Sequence, residues 1–216
     1  MRALLCVVVG VLVAAAQITH AAQVPSFNIE GTVTEINGAP VGVNASVGDS
    51  FSGSFSYDLA TTGTGNSNFA YYFQSIANGF SLSINGHTVA NDANQYLVDL
   101  FKFPPLGAEG ITIAQGNGVP SPANNALYVD GVAASTAHLE FSFENSPVAG
   151  ALLDLSLPTS ISLADFETAF VSFTEGTAYI LGQITSLTAV PEPASLALFG
   201  LGLAGLGAIR RKKPST

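Results

Sequence analysis

The chain has 216 residues, 48% hydrophobic and only 10% charged, with fifteen Asp and Glu against six Lys and Arg, for a formal net charge of −9. A single cysteine excludes a disulfide framework within the chain, and the scarcity of cations argues against a nucleic-acid-binding surface.

At the start, Met1-Arg2, an apolar run over residues 4–16 and the small-residue exit Thr19-His20-Ala21-Ala22 read as a secretory signal peptide over residues 1–21, an address for Sec-type export. Cleavage after Ala21 puts Thr19 and Ala21 at the two selective positions; cleavage after Ala22 would put the bulkier His20 there. Cys6 precedes the apolar core and leaves with it, so the mature chain has no thiolate, no disulfide and no sulfur ligand. About 168 residues, 22–189, suffice for one domain. Its only basic residue is Lys102, and all acidic residues except Glu192 fall within it, so fourteen acids face one base, a net charge of about −13. Cations, cationic surfaces or neutral glycans suit such a domain as partners.

Within this domain the dominant period is two. Residues 51–59 alternate apolar or aromatic with small polar side chains, as do residues 139–144, so each predicts a strand with one buried face. Further strands are expected over residues 27–36, 80–84, 87–91, 96–101, 110–115, 126–129, 151–157, 169–173 and 177–189. Asn-Gly at Asn37, Asn78, Asn85 and Asn117 favours tight turns. The clearest hairpin turns at Asn85-Gly86, with Ile84 facing His87 and Leu82 facing Val89. Residues 61–68 read as a polar surface loop, and residues 162–167 as either a loop or one helical turn capped by Ser162 and closed by Asp165. The fold class is all-β: a single antiparallel β-sandwich with jelly-roll-like connections.

Catalytic patterns are sparse. Gly48-Asp49-Ser50-Phe51 is like the start of a GDSL-type serine hydrolase with Ser50 as nucleophile, but no later Asp-x-x-His supplies a base, and Asp49 suits a turn. His87 borders a hairpin turn, and His138 belongs on the polar face of its strand beside Glu140; neither has metal-ligand spacing. The domain therefore reads as non-enzymatic and without a cofactor. Calcium is the alternative ligand: oxygen donors gather at Asn91, Asp92, Asn94 and Asp99, and again at Asn124, Asn125 and Asp130. The same residue types are ordinary in turns. A glycan-stacking platform of Tyr57, Tyr71, Tyr72, Tyr96 and Tyr128 is the other alternative, although Tyr71-Tyr72 straddles both faces of a strand, which sends one ring to the core.

The tail departs from this pattern. Pro191-Glu192-Pro193 runs into an uncharged stretch, residues 194–209, which ends at Arg210-Arg211-Lys212-Lys213. As a helix that stretch measures about 24 Å, short of a hydrocarbon core of about 30 Å by an amount that flanking residues and local thinning make up. Four basic residues after it hold its end on the cytoplasmic side, so everything before Pro191 lies across the membrane. Gly200, Gly202, Gly205 and Gly207 suit close approach of another helix as well as ordinary small-residue enrichment.

Residues 190–213 resemble the PEP-CTERM sorting tail in all three parts and in their order. The resemblance implies that Pro191, Glu192 and Pro193 are recognised by an exosortase, an integral-membrane cysteine transpeptidase-like enzyme, and that this chain is its substrate. The alternative is a plain membrane anchor with Pro-Glu-Pro as a stiff linker. Val47-Gly48-Asp49-Ser50-Phe51-Ser52-Gly53-Ser54-Phe55-Ser56-Tyr57-Asp58 and Gly182-Gln183-Ile184-Thr185-Ser186-Leu187 are also similar to segments frequent in the bodies of such proteins. What the resemblance implies further is an inner-membrane intermediate, a cell-surface or extracellular destination, a Gram-negative source and an association with exopolysaccharide and biofilm.

Overall fold

Alternation with a period of two sends every second side chain to one face, and thirteen strands follow that rule in the computed structural model, which describes residues 24–91, 95–103, 108–145 and 154–191. They are β1 (Ser26–Asn37), β2 (Ser50–Ser56), β3 (Thr64–Gly65), β4 (Phe69–Gln74), β5 (Phe80–Ile84), β6 (His87–Ala90) and β7 (Tyr96–Phe103). Then follow β8 (Ala108–Gly116), β9 (Leu127–Val129), β10 (Val132–Ala134), β11 (Ala137–Asn145), β12 (Thr168–Glu175) and β13 (Ala178–Val190). The pairings are antiparallel, and the strands run in the order β10-β9-β6-β5-β2-β1-β13-β12-β11-β8-β7-β4-β3.

All thirteen strands thus share one continuous hydrogen-bonded sheet, where a sandwich would have two. The sheet is curled. Four strands separate β5 from β11, which would put them about 24 Å apart on a flat sheet at about 4.8 Å per strand. Yet the rings of Phe80 on β5 and Phe141 on β11 meet edge to face, with centroids 4.7 Å apart. Around this contact the rings of Phe27, Phe55 and Tyr57 form a triangle, each touching the other two, and Phe55 also touches Phe141 and Phe143. Two glycines let the chain close here: a Cβ on Gly31 would stand 2.2 Å from the Phe51 ring, and one on Gly182 would stand 2.5 Å from it.

A second, smaller apolar cluster lies on the other face. Leu97, Ala114, Val119 and Ala123 pack together with Tyr71 and Phe73, so β4 is covered on both sides and loses the clean alternation that marks a strand. Two tyrosine hydroxyls anchor irregular chain to the core, Tyr57 donating to the Pro158 carbonyl and Tyr72 to that of Leu155, and a third, Tyr96, donates to the carbonyl of Ser56 at the end of β2. Burial pushes the phenols of Tyr57 and Tyr96 well above their ordinary range.

The Asn85-Gly86 hairpin has the expected register, Ile84 opposite His87 and Leu82 opposite Val89, with φ of 48° and 84° at the two turn residues. Leu163–Asp165 forms a 3-10 turn whose entry Ser162 accepts from the Ala164 amide. The strand expected over residues 151–157 is not found: its described part, residues 154–157, is irregular. β3, β4 and β10 are strands for which no bounds were expected. Among the described residues no helix is long and apolar enough to cross a membrane. The expected signal peptide, the 194–209 segment, Glu192, Pro193, Arg210, Arg211, Lys212 and Lys213 lie outside the described residues, as do Asp92 and Asn94.

Candidate functional site

Two places on this scaffold are candidates for function, the first expected from the sequence and the second not. The first is the exit of the tail. β13 pairs with β1 to its final residue, with Thr188 opposite Asn28, Ala189 opposite Phe27 and Val190 opposite Ser26. Pro191 follows directly, exposed and outside the strand, and its lack of an N–H ends the ladder there. The first and last strands are therefore neighbours, and both ends of the domain leave from one pole. The opposite pole carries the turns at Gly38, Gly48, Asn85-Gly86 and Gly176, each with positive φ.

The second place is the outer face of the sheet. Over β1, β2, β5 and β6 it presents short polar side chains. Asn28, Glu30, Ser52, Ser54, Ser81, Ser83 and Thr88 line a shallow recess of about 370 Å³. Glu30, Thr32, Ser50, Ser52, Ser83 and Asn85 line an adjoining one of about 420 Å³. Ser52 stands opposite Ser83 and Ser54 opposite Ser81, whose hydroxyls are 2.9 Å apart. The signal for this surface is the spacing Ser50, Ser52, Ser54 and Ser81, Ser83, which sequence reasoning used only for strand period.

Further round the same face, β7 and β11 place ionisable residues, Asp99, His138, Glu140 and Glu144, beside the hydroxyls of Thr112 and Ser142. Asp99 lies opposite Thr112, and Thr112 opposite Ser142. Thr112 Oγ1 and Ser142 Oγ are 3.1 Å apart, and Ser142 Oγ donates to Glu144 Oε1 at 2.7 Å. His138 Nε2 lies 3.2 Å from Glu140 Oε2, which places His138 on the polar face beside Glu140 as expected. Burial, reinforced by the negative charge of Glu140, pushes the Asp99 carboxyl up to about 6. Asp99 Oδ1 is buried without a hydrogen-bond partner, which fits a carboxyl inclined to hold its proton.

Among the described residues the proposed calcium donors are set apart. Asn91 is fully buried as a brace, its Oδ1 accepting from the Phe80 amide and its Nδ2 donating to the Ile76 carbonyl. Asp99 belongs to the β7 stripe. Asp130 is latched to the β6 hairpin: Oδ1 accepts from the Thr88 amide and Oδ2 meets His87 Nδ1, both at 2.8 Å. The amide bond first and the imidazole second hold its carboxyl below the usual range. Asn125 bonds the Pro122 carbonyl. Among the described residues no three His, Cys, Asp or Glu side chains gather in a metal-holding group.

The tyrosine platform is dispersed. Tyr57, Tyr72 and Tyr96 are core residues, so Tyr72 is the ring of the pair that turns inward; Tyr71 and Tyr128 remain half-buried on the outer face. Asp49 is a turn residue, its Oδ2 accepting from the Ser46 amide at 2.8 Å, while Ser50 opens β2 on the exposed side.

An all-β domain that delivers an exposed proline straight from its last strand has the form of a body joined to a processing tail. Residues 189–212 match the family described as the PEP-CTERM protein-sorting motif, and the chain is a PEP-CTERM domain-containing protein. The match covers the tail and begins at Ala189, so it takes in the last two residues of β13. The motif makes this an exosortase-targeted exported protein, addressed to the cell surface or extracellular space. Comparison with curated proteins and with solved structures gives no significant match.

Proposed function

We propose that this is a non-enzymatic surface or matrix protein, tethered briefly by its tail in the inner membrane of a Gram-negative cell and then released or displayed by exosortase processing at Pro191-Glu192-Pro193. Residues 1–21 direct Sec export, residues 22–189 form the working domain, and residues 190–213 form the sorting tail, with Arg210, Arg211, Lys212 and Lys213 as the stop. The sorting-motif match, which begins in the last two residues of β13 and runs on into the tail, is the observation that carries this reading. Meeting of β5 and β11 across the aromatic core supports a sandwich-like, two-layer description of the curled sheet. In the tethered state the pole of Ser26 and Val190 faces the membrane, and the pole of the Asn85-Gly86 turn faces outward.

The test replaces Pro191, Glu192 and Pro193 with alanine in a host that carries an exosortase. The altered chain is expected to accumulate unprocessed in the membrane fraction; release at the unaltered rate would contradict the reading.

A second reading, a neutral-glycan-binding surface tied to exopolysaccharide and biofilm, is favoured by the hydroxyl-lined recesses over β1, β2 and β5. Retardation of the exported protein in polysaccharide-containing gels, lost on converting Ser52 and Ser83 to valine, would support it; equal mobility in gels with and without polysaccharide would exclude it. Calcium binding predicts a rise in melting temperature with added Ca²⁺.

A further inference from the structure

We infer that the last three residues of β13, Thr188, Ala189 and Val190, are a built-in spacer that peels reversibly from β1 to give the sorting motif reach into its processing enzyme. The inference rests on the processing reading above. Because β13 is paired through Val190, the folded chain offers no slack before Pro191. A membrane-embedded active site must take in extended chain on both sides of the bond it acts on, and while residues 188–190 stay paired with β1 their β1-facing amides and carbonyls are occupied, leaving only the alternate ones on the far edge, beyond the reach of β12.

Burial divides β13 into two parts. Ile180, Gly182 and Ile184 are buried, and Leu187 packs partly buried against the core. Thr188, Ala189 and Val190 are all exposed, Val190 by 40%. Peeling these three breaks a few inter-strand hydrogen bonds and uncovers almost no apolar surface, which is the profile of a locally opening segment.

The partner strand tolerates the loss. Ser26, Phe27 and Asn28 remain paired with Ser56, Phe55 and Ser54 on β2, and Phe27 keeps its stack with Phe55 and Tyr57. The sheet therefore does not open when its last strand frays. Three residues of extended chain add about 10 Å of reach, while Leu187 keeps the domain's register.

The test locks the pair. Asn28 and Thr188 are opposite each other and both exposed, and the mature domain contains no cysteine of its own. Full-length chain carrying Asn28→Cys and Thr188→Cys is expressed with an exosortase, disulfide formation is verified, and processing is followed by C-terminal peptide mass. The oxidised double variant is expected to be processed at least about tenfold more slowly than either single variant. Inserting about six Gly/Ser residues between Val190 and Pro191 is expected to restore the rate. Equal rates in the verified disulfide form and the single variants would overturn the inference. Hydrogen exchange on the full chain in detergent micelles tests it without the enzyme. Amides of residues 188–190 are expected to exchange at least about a hundredfold faster than those of Ile180 and Ile184, and equal protection would overturn the inference. Failure of the unaltered chain to be processed would contradict the proposed function instead, leaving the exchange result to decide the spacer.

Discussion

The two faces of the curled sheet are built from the same strands and have opposite characters. On the inner face Phe27, Phe55, Phe80, Phe141, Phe143 and Phe173 are sealed from solvent, while on the outer face the same strands carry Asn28, Ser54, Ser81, Glu140 and Ser172, none of them buried. A single alternation therefore separates core from surface: ring packing holds the curl, and short polar side chains cover the outside. The difference teaches where substitutions should unfold this protein and where they should only alter what it meets.

The sharpest way to break the comparison is Phe141→Ala. Phe141 is fully buried and touches both Phe55 and Phe80 across the curl, so its loss is expected to cost about 3–5 kcal/mol in urea unfolding. Gly182→Val is next. The added carbon would collide with the Phe51 ring, giving an expected loss of about 1–3 kcal/mol, and adding Phe51→Ala should recover part of it in a double-mutant cycle.

Asp99 is the exception that sharpens the contrast, an outer-face group with partly core-like surroundings. Its folded pKa, about 6, stands above the ordinary 3.8, so the folded state binds the extra proton between these values. Stability should therefore fall as pH rises through about 4 to 6, with the penalty fully present above that window. Allowing for partial solvent screening, Asp99→Asn is expected to stabilise the protein by about 1 kcal/mol at pH 7.5 and to have no effect near pH 4. The smallest effect belongs to Ser52→Ala with Ser83→Ala, expected within about 0.5 kcal/mol of the unaltered protein, because neither hydroxyl contributes to the core.

Strands with one covered face were legible in the sequence, because burial on one side alone writes the period of two. β5, the Asn85-Gly86 turn and β6 follow from that pattern residue by residue. β4 does not, since Tyr71 and Phe73 serve a second cluster while Tyr72 serves the first, and a strand apolar on both faces has no alternation to read. Continuity of the sheet was also hidden. Pairing of β1 with β13 joins residues more than 140 positions apart, and nothing local in either strand specifies that partner. The sorting motif was legible for the opposite reason: it is a short contiguous stretch of sequence, Pro191-Glu192-Pro193 and the residues after it, that needs no partner elsewhere in the chain to be recognised. The tyrosine grouping did not assemble, and the described members of the calcium grouping lie apart, because residues near in sequence alternate between faces or serve different turns. Asn91 braces the core while Asp99 lies on the outside of β7.

The central claim is that this domain is delivered by its tail and parted from it. Intact-mass and C-terminal peptide analysis of the exported protein from a host carrying an exosortase tests it most directly. A new C-terminus at or near Pro193, with residues 194–216 gone, is the predicted result. A chain ending intact at Thr216 would contradict it.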